Sequence, residues 1–458
     1  MRPKHSFRIG LVFVLVAALG GCSGPCDKLD SITGPGLNAN GVDLSTYVAV
    51  GTSLTSGFES GGLVDRHQVH SFPSLFARQI GKTVDVQGNL GSFTQPTINH
   101  DGIPALLEIK SFSPLIISDT LRTTGAPTNF GQPTAYHNMG IPGAILFDLA
   151  DSSYYHPPAN PVRNNFTFFN LIQRSRGTIL AQALSLQPTI MSLEYGANEV
   201  LGPATSGSAP DAGTAPAYAQ LMTIALNTIH TLSPNTRVAA FNVPDVTTIP
   251  FFTTLSPFTV SQADGTTPMP LVGVNGPMQP GDLLLLAAAD TIATWGCGIP
   301  PGGVNYLNPT LQGSTGPLPE NLILRGAEVT ATQAVVANMN AVVDSVAARP
   351  WVTKVDLAGL LSSIATKGLS LGGADYTNEF VTGGLFSLDG VHPNDLGYAL
   401  MANTIIESIN AKFGCFVPPV NPLSYASTNA SALAPVRDHY PLVKGLDASF
   451  RMLFPAPR

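Results

Sequence analysis

The chain has 458 residues, of which 44% are hydrophobic and only 11% charged, with a net charge of −7. That apolar content excludes a disordered chain, and so few cations exclude a basic patch for nucleic acid. The length allows one large core or two domains, and 45 Gly with 39 Pro predict long ordered loops.

At the N-terminus Arg2, Lys4 and Arg8 precede the apolar run IGLVFVLVAALGG, which is too short to span a bilayer as a stable helix. This order reads as an export signal over residues 1–21. The run ends in LGGC, Leu19–Cys22, which resembles a bacterial lipobox. That resemblance implies cleavage before Cys22, acylation of its thiol and anchoring in the cell envelope, with Ser23 favouring the outer membrane. Two acyl chains suffice for stable anchoring where one is marginal. Residues 22–45 are polar and Gly-rich and read as a tether. Beyond Cys22 the chain holds Cys26, Cys297 and Cys415. In an oxidising compartment one pair is expected, and Cys297–Cys415 is the expected disulfide because both lie in the folded part. The sequence holds no C-x-x-C pattern, and neither a metal nor an organic cofactor is implied.

From residue 46 to 415 strands and helices alternate. YVAVG (47–51) reads as a buried strand, FPSLFARQIG (72–81) as a helix and TVDVQ (83–87) as a second strand. Helical spacing over 168–187 leads into a strand in PTIMSLEYG (188–196). The pattern repeats with a helix at 217–233 and a strand at 236–244, then a helix at 331–348 and a strand at 353–359. A last helix spans 393–413. Helices of this length between strands imply a parallel sheet covered on both faces, a three-layer α/β/α, doubly wound fold. Two stretches, about 88–165 and 245–325, lack periodicity and are irregular insertions that carry function or small elements of their own. Residues 416–458 are Pro-rich and read as a tail packed on the body.

Ligands bind outside the carboxyl ends of the strands in such sheets. Four strand-to-loop transitions carry residues suited to chemistry: Ser53 in VGTSLTSG, Gly140 in HNMGIPGA, Asn198 in EYGANE, and Asp389 with His392 in SLDGVHPND. A serine hydroxyl becomes a nucleophile when a base takes its proton, and His is the usual base near neutral pH. A carboxylate on the far ring nitrogen fixes the tautomer. The backbone N–H groups of Ser53 and Gly140 and the Asn198 amide could then donate to an oxyanion. Taken singly, each residue has a structural reading: Ser53 and Asn198 as helix caps, Gly140 and Gly143 as turn residues, Asp389 and His392 as the entry to the last helix. His67, His70 and His137 read as loop histidines, and His230 as a structural helix residue.

Together and in this order, the four blocks resemble those of the SGNH hydrolase superfamily, the GDSL-type esterases and lipases. SFPSLFARQIG and FNVPDVTTIPFF are also similar to stretches of its bacterial lipoprotein members. The resemblance covers most of the mature chain and implies a flavodoxin-like fold. It further implies an esterase acting on small-molecule or lipid esters through an acyl-enzyme on Ser53. Carbohydrate O-deacetylation at the same site, or a binding lipoprotein that has lost activity, are the alternatives. Two positions depart from the pattern: Thr52 and Glu199 stand where the family usually has Asp. A competing motif, GLSLG (368–372), matches the G-x-S-x-G elbow with Ser370 as nucleophile. That elbow must join a strand directly to a helix, and neither flank of GLSLG reads that way.

Overall fold

A computed structural model describes residues 36–86, 91–112, 115–119, 124–152, 166–311, 313–426, 442–443 and 453–454. The chain divides into Met1–Gly36 and Leu37–Arg458, and the fold is that of the second unit. The expected export signal, Cys22, Cys26 and the first part of the tether lie outside the described residues, as does most of the C-terminal tail. Residues 37–45, read as tether, belong to the body. Asn38 exchanges backbone hydrogen bonds with Phe416, and Val42 and Leu44 are buried.

Five strands make the central sheet: β1 (Tyr47–Gly51), β2 (Asn138–Gly140), β3 (Ile190–Glu194), β4 (Arg237–Phe241) and β5 (Val352–Val355). They run parallel in the order β5-β4-β3-β1-β2. The chain therefore winds to one side of β1 for β2 and to the other for β3 to β5. This order places the crevice of a doubly wound sheet beside β1.

Both faces are covered, and for that reason the strands are almost wholly apolar. Tyr47 and Ala49 share one core with Ile190, Ala239, Phe241 and Val355. Helices α2 (Phe72–Gln79), α7 (Leu357–Lys367) and α8 (Asp395–Phe413) close it. Val48 and Val50 point the other way, into a core with Met191, Leu193, Val238 and Ala240. That face is closed by α3 (Ile179–Ser185), α5 (Thr214–Leu232) and α6 (Gly326–Val346). Two shorter helices begin at strand ends, α1 (Ser53–Ser56) after β1 and α4 (Ala197–Ala204) after β3. The three-layer α/β/α architecture is the one expected.

Three local expectations are corrected. The helix expected over 168–187 is two, Phe166–Gln173 and α3, because Arg174 and Ser175 take φ of 46° and 58°. The guanidinium of Arg174 donates to the carbonyls of Gln132 and Thr134 at 2.8 Å, a tertiary gain that outweighs helical continuity. TVDVQ adds no strand to the sheet. Asp85, fully buried, accepts instead from Gln95 N and Asn129 Nδ2, both at 3.2 Å, in an irregular polar knot. Cys297 and Cys415 are free thiols. They pack with two different cores, and the expected disulfide does not form. The two insertions do carry small ribbons, such as Leu107–Phe112 with Leu115–Asp119 and Phe258–Val260 with Pro268–Pro270.

Candidate active site

Gly51 closes β1, and a Cβ there would lie 2.1 Å from Thr55 Oγ1 and 2.6 Å from the Glu194 carbonyl oxygen. Only glycine lets the chain turn this tightly into α1. Thr52 is the N-cap, and Ser53 is the first helical residue. Its own N–H takes no partner among the described residues, as expected for a first-turn donor.

Ser53, His392 and Asp389, distant in sequence, meet here. Ser53 Oγ is 2.9 Å from His392 Nε2, and His392 Nδ1 is 2.9 Å from Asp389 Oδ2. All three are buried, with 5%, 2% and 1% of their surface exposed. The ring of Phe58 packs against the imidazole at 4.7 Å and limits its rotation. Asp389 is held from several sides. Its Oδ1 accepts from the N–H groups of Val391 and His392 at 2.9 Å, and its Oδ2 from Gly61 N at 2.9 Å. Burial by itself would raise this carboxyl, but the His392 imidazole and these donors hold it below the usual carboxylate value. A carboxylate that stays ionised beside Nδ1 keeps the Nε2 lone pair facing the serine.

The other predicted residues divide. Asn198 stands in the first turn of α4, where Gly196 is the N-cap, so it is not the cap that one reading allowed. Its Nδ2 donates to the Ala144 carbonyl at 2.8 Å, which fixes the amide plane and leaves the second N–H of that group. Gly140 is not placed as expected. Its N–H donates to Asn138 Oδ1 at 3.1 Å, and a Cβ would lie 2.3 Å from Ser56 N, so it is a packing glycine between β2 and α1. The loop glycine that lines the cavity with Asn198 is Gly143, whose φ is 78°. That cavity measures about 770 Å³, and Ile145, Phe147, Tyr218 and Leu221 also line it.

Glu194, at the end of β3, escaped sequence reasoning. Its carboxyl accepts from Thr52 N at 3.0 Å, from Thr52 Oγ1 at 2.9 Å and from Thr55 Oγ1 at 2.9 Å. Burial pushes this group up to about 7 despite those donors. Thr52, the departure from the family pattern, therefore works with a carboxylate supplied by the neighbouring strand. The available signal was an acid closing an otherwise apolar strand. Glu199, the other departure, accepts from Leu146 N at 2.8 Å and fastens the Gly143–Leu146 loop to α4.

Comparison with known proteins adds little to this geometry. No family model matches the chain, and no curated protein matches it. A solved structure described as a GDSL-like lipase from Parabacteroides merdae is similar to it. That match covers 81% of this chain and 99% of the other, at 14% identity and a TM-score of 0.30.

Proposed function

We propose that this chain is a serine hydrolase of the SGNH type that cleaves carboxylic esters through an acyl-enzyme on Ser53. The observation that carries the reading is the unbroken Ser53–His392–Asp389 hydrogen-bond chain, with both links at 2.9 Å. Ser53 Oγ attacks the ester carbonyl while His392 Nε2 takes its proton. Asp389 holds the tautomer and stabilises the imidazolium as it forms. The oxyanion is received by the Ser53 N–H and the Asn198 amide, each such donor being worth roughly a hundred- to a thousand-fold in rate. Collapse of the tetrahedral intermediate breaks the C–O bond, and His392 returns its proton to the leaving alcohol. Water, activated by the same imidazole, then hydrolyses the acyl-enzyme.

The cavity beginning at Asn198 supports an acyl ester over a carbohydrate substrate, because Ile145, Phe147 and Leu221 give it apolar walls. Ser53→Ala is expected to abolish hydrolysis of a short-chain p-nitrophenyl ester. Retention of more than a few per cent of the wild-type rate would refute the assignment. The LGGC stretch supports acylation at Cys22 and residence in the cell envelope. Cys22→Ala should leave the protein out of washed membranes, and its normal recovery there would contradict the anchor.

A further inference from the structure

Behind the triad lies a second group of titratable side chains that ester cleavage does not use. Glu59 stands at the foot of a tight turn, Glu59–Gly62, whose ends exchange backbone hydrogen bonds of 3.0 and 3.1 Å. Its central residues, Ser60 and Gly61, have φ of 51° and 82°, as a two-residue turn of this hand requires. The turn carries the Gly61 N–H to Asp389 and the Ser60 N–H to Ser387 Oγ. Asp395 opens α8, three residues after His392, and His67 comes from the short helix Asp65–Gln68.

The candidate ligand atoms of Glu59, His67 and Asp395 all lie within 4.8 Å of one another. His67 Nδ1 is 3.1 Å from Asp395 Oδ1 and 3.3 Å from Glu59 Oε2. Hydrogen bonding accounts for only part of this closeness. Glu59 is only 7% exposed, and its Oε2 has no hydrogen-bond partner among the described residues. The single proton that Nδ1 can carry is directed at Asp395. Two carboxylates thus converge on one imidazole nitrogen that can donate to only one of them.

We propose that Glu59, His67 and Asp395 form a divalent-cation site, matched to Zn²⁺, that fastens the turn holding Asp389 to the start of α8. One imidazole and two carboxylates make a donor set of the kind Zn²⁺ takes. Tetrahedral bonds of about 2.0–2.2 Å would set ligand atoms roughly 3.3–3.6 Å apart, close to the spacings around Nδ1. His70 Nδ1 lies 2.8 Å from the other oxygen of Asp395, where it would orient that carboxylate. Water would complete the shell on the partly exposed side of His67 and Asp395. The cation is structural and does not touch the ester. Its rival for the space is a proton. Arg66 Nε lies 3.3 Å from His67 Nε2, an arrangement that favours the proton on Nδ1.

The untagged full chain, stripped with a chelator and dialysed, is titrated with Zn²⁺ by calorimetry, with Mn²⁺ and Ca²⁺ in parallel. One Zn²⁺ per chain is expected, with Kd below about 10 μM and weaker Mn²⁺ and Ca²⁺ binding. The Tm should rise by about 3 °C when Zn²⁺ exceeds Kd a hundredfold. Glu59→Gln and Asp395→Asn should each abolish both effects. If one variant fails to fold, the other and the wild-type titration still decide. A wild-type protein that binds no Zn²⁺ holds the proton instead, and that result overturns the proposal. So does a folded Glu59→Gln variant that binds Zn²⁺ as the wild type does.

Discussion

Ser53 and Ser370 both sit in short Gly-bearing stretches, GTSLTSG and GLSLG, and the fold treats them oppositely. Ser53 leaves a strand buried on both faces, in the crevice of a parallel sheet, and its hydroxyl meets a histidine from 339 residues away. Ser370 lies exposed at the middle of a strand in an antiparallel ribbon, Leu369–Leu371 against Ala374–Tyr376, where it is paired with Asp375. Gly372 and Gly373 turn that ribbon, with φ of 61° and 84°. Of the two glycines of GLSLG, Gly368 caps α7 and Gly372 turns a hairpin, whereas Gly51 serves a strand-to-helix turn. A nucleophile is made by the base and donors that the topology brings to it, and the local pattern of small residues does not supply these.

The comparison is broken most severely by removing what distinguishes Ser53. Asp389→Asn should lower kcat by about 10⁴-fold with the fold intact, because the wrong imidazole tautomer would face the serine. A loss under tenfold, measured on the same p-nitrophenyl ester, would mean that the triad does not operate as a unit.

Asn198→Ala comes next, at roughly a hundredfold or more in kcat with little change in KM, the pattern of a contact made in the transition state. The lost bond to the Ala144 carbonyl should also lower stability by about 1 kcal/mol. Near-normal kcat with a lowered Tm would show that the amide serves only the Gly143–Leu146 loop.

The smallest effect concerns Glu194, which holds the Ser53 turn and has no counterpart at Ser370. Its folded-state value of about 7 lies above the ordinary 4.5, so the folded chain binds a proton more tightly than the unfolded one. Stability from this source is complete below about pH 4.5 and is lost as pH rises through about 7. Between pH 5 and 7.5 the Tm should therefore fall by about 3 °C from this group, and Glu194→Gln should remove that part of the slope. An unchanged slope in the variant would assign the titration elsewhere.

Most of this site was legible in the sequence because its residues follow long, strongly apolar strands or precede a long helix, as Ser53, Asn198 and the Asp389–His392 pair do. What was not legible depended on partners far away in the chain. β2 is three residues long, too short for any periodicity, and it exists because β1 offers an edge. Gly140 was misassigned because a glycine needed for close packing against Thr55 and Ser56 looks, in sequence, like one needed at a site. Glu194 reads as the last residue of a strand until two threonines from the next turn are seen donating to it. The Cys297–Cys415 pairing is not legible because sequence does not say with which core a residue packs. His67 and His70 read as ordinary loop histidines, and only the fold brings them to Glu59 and Asp395.

The central claim is that Ser53 alone is activated, and labelling tests it most directly. The protein would be treated with a fluorophosphonate, which reacts only with an activated serine, then digested and mapped by mass spectrometry. The label is expected on the peptide that contains Ser53, with none on the one that contains Ser370, and Ser53→Ala should not label while Ser370→Ala labels normally. A modified Ser370 peptide, or an unreactive protein that is otherwise folded, would contradict the account.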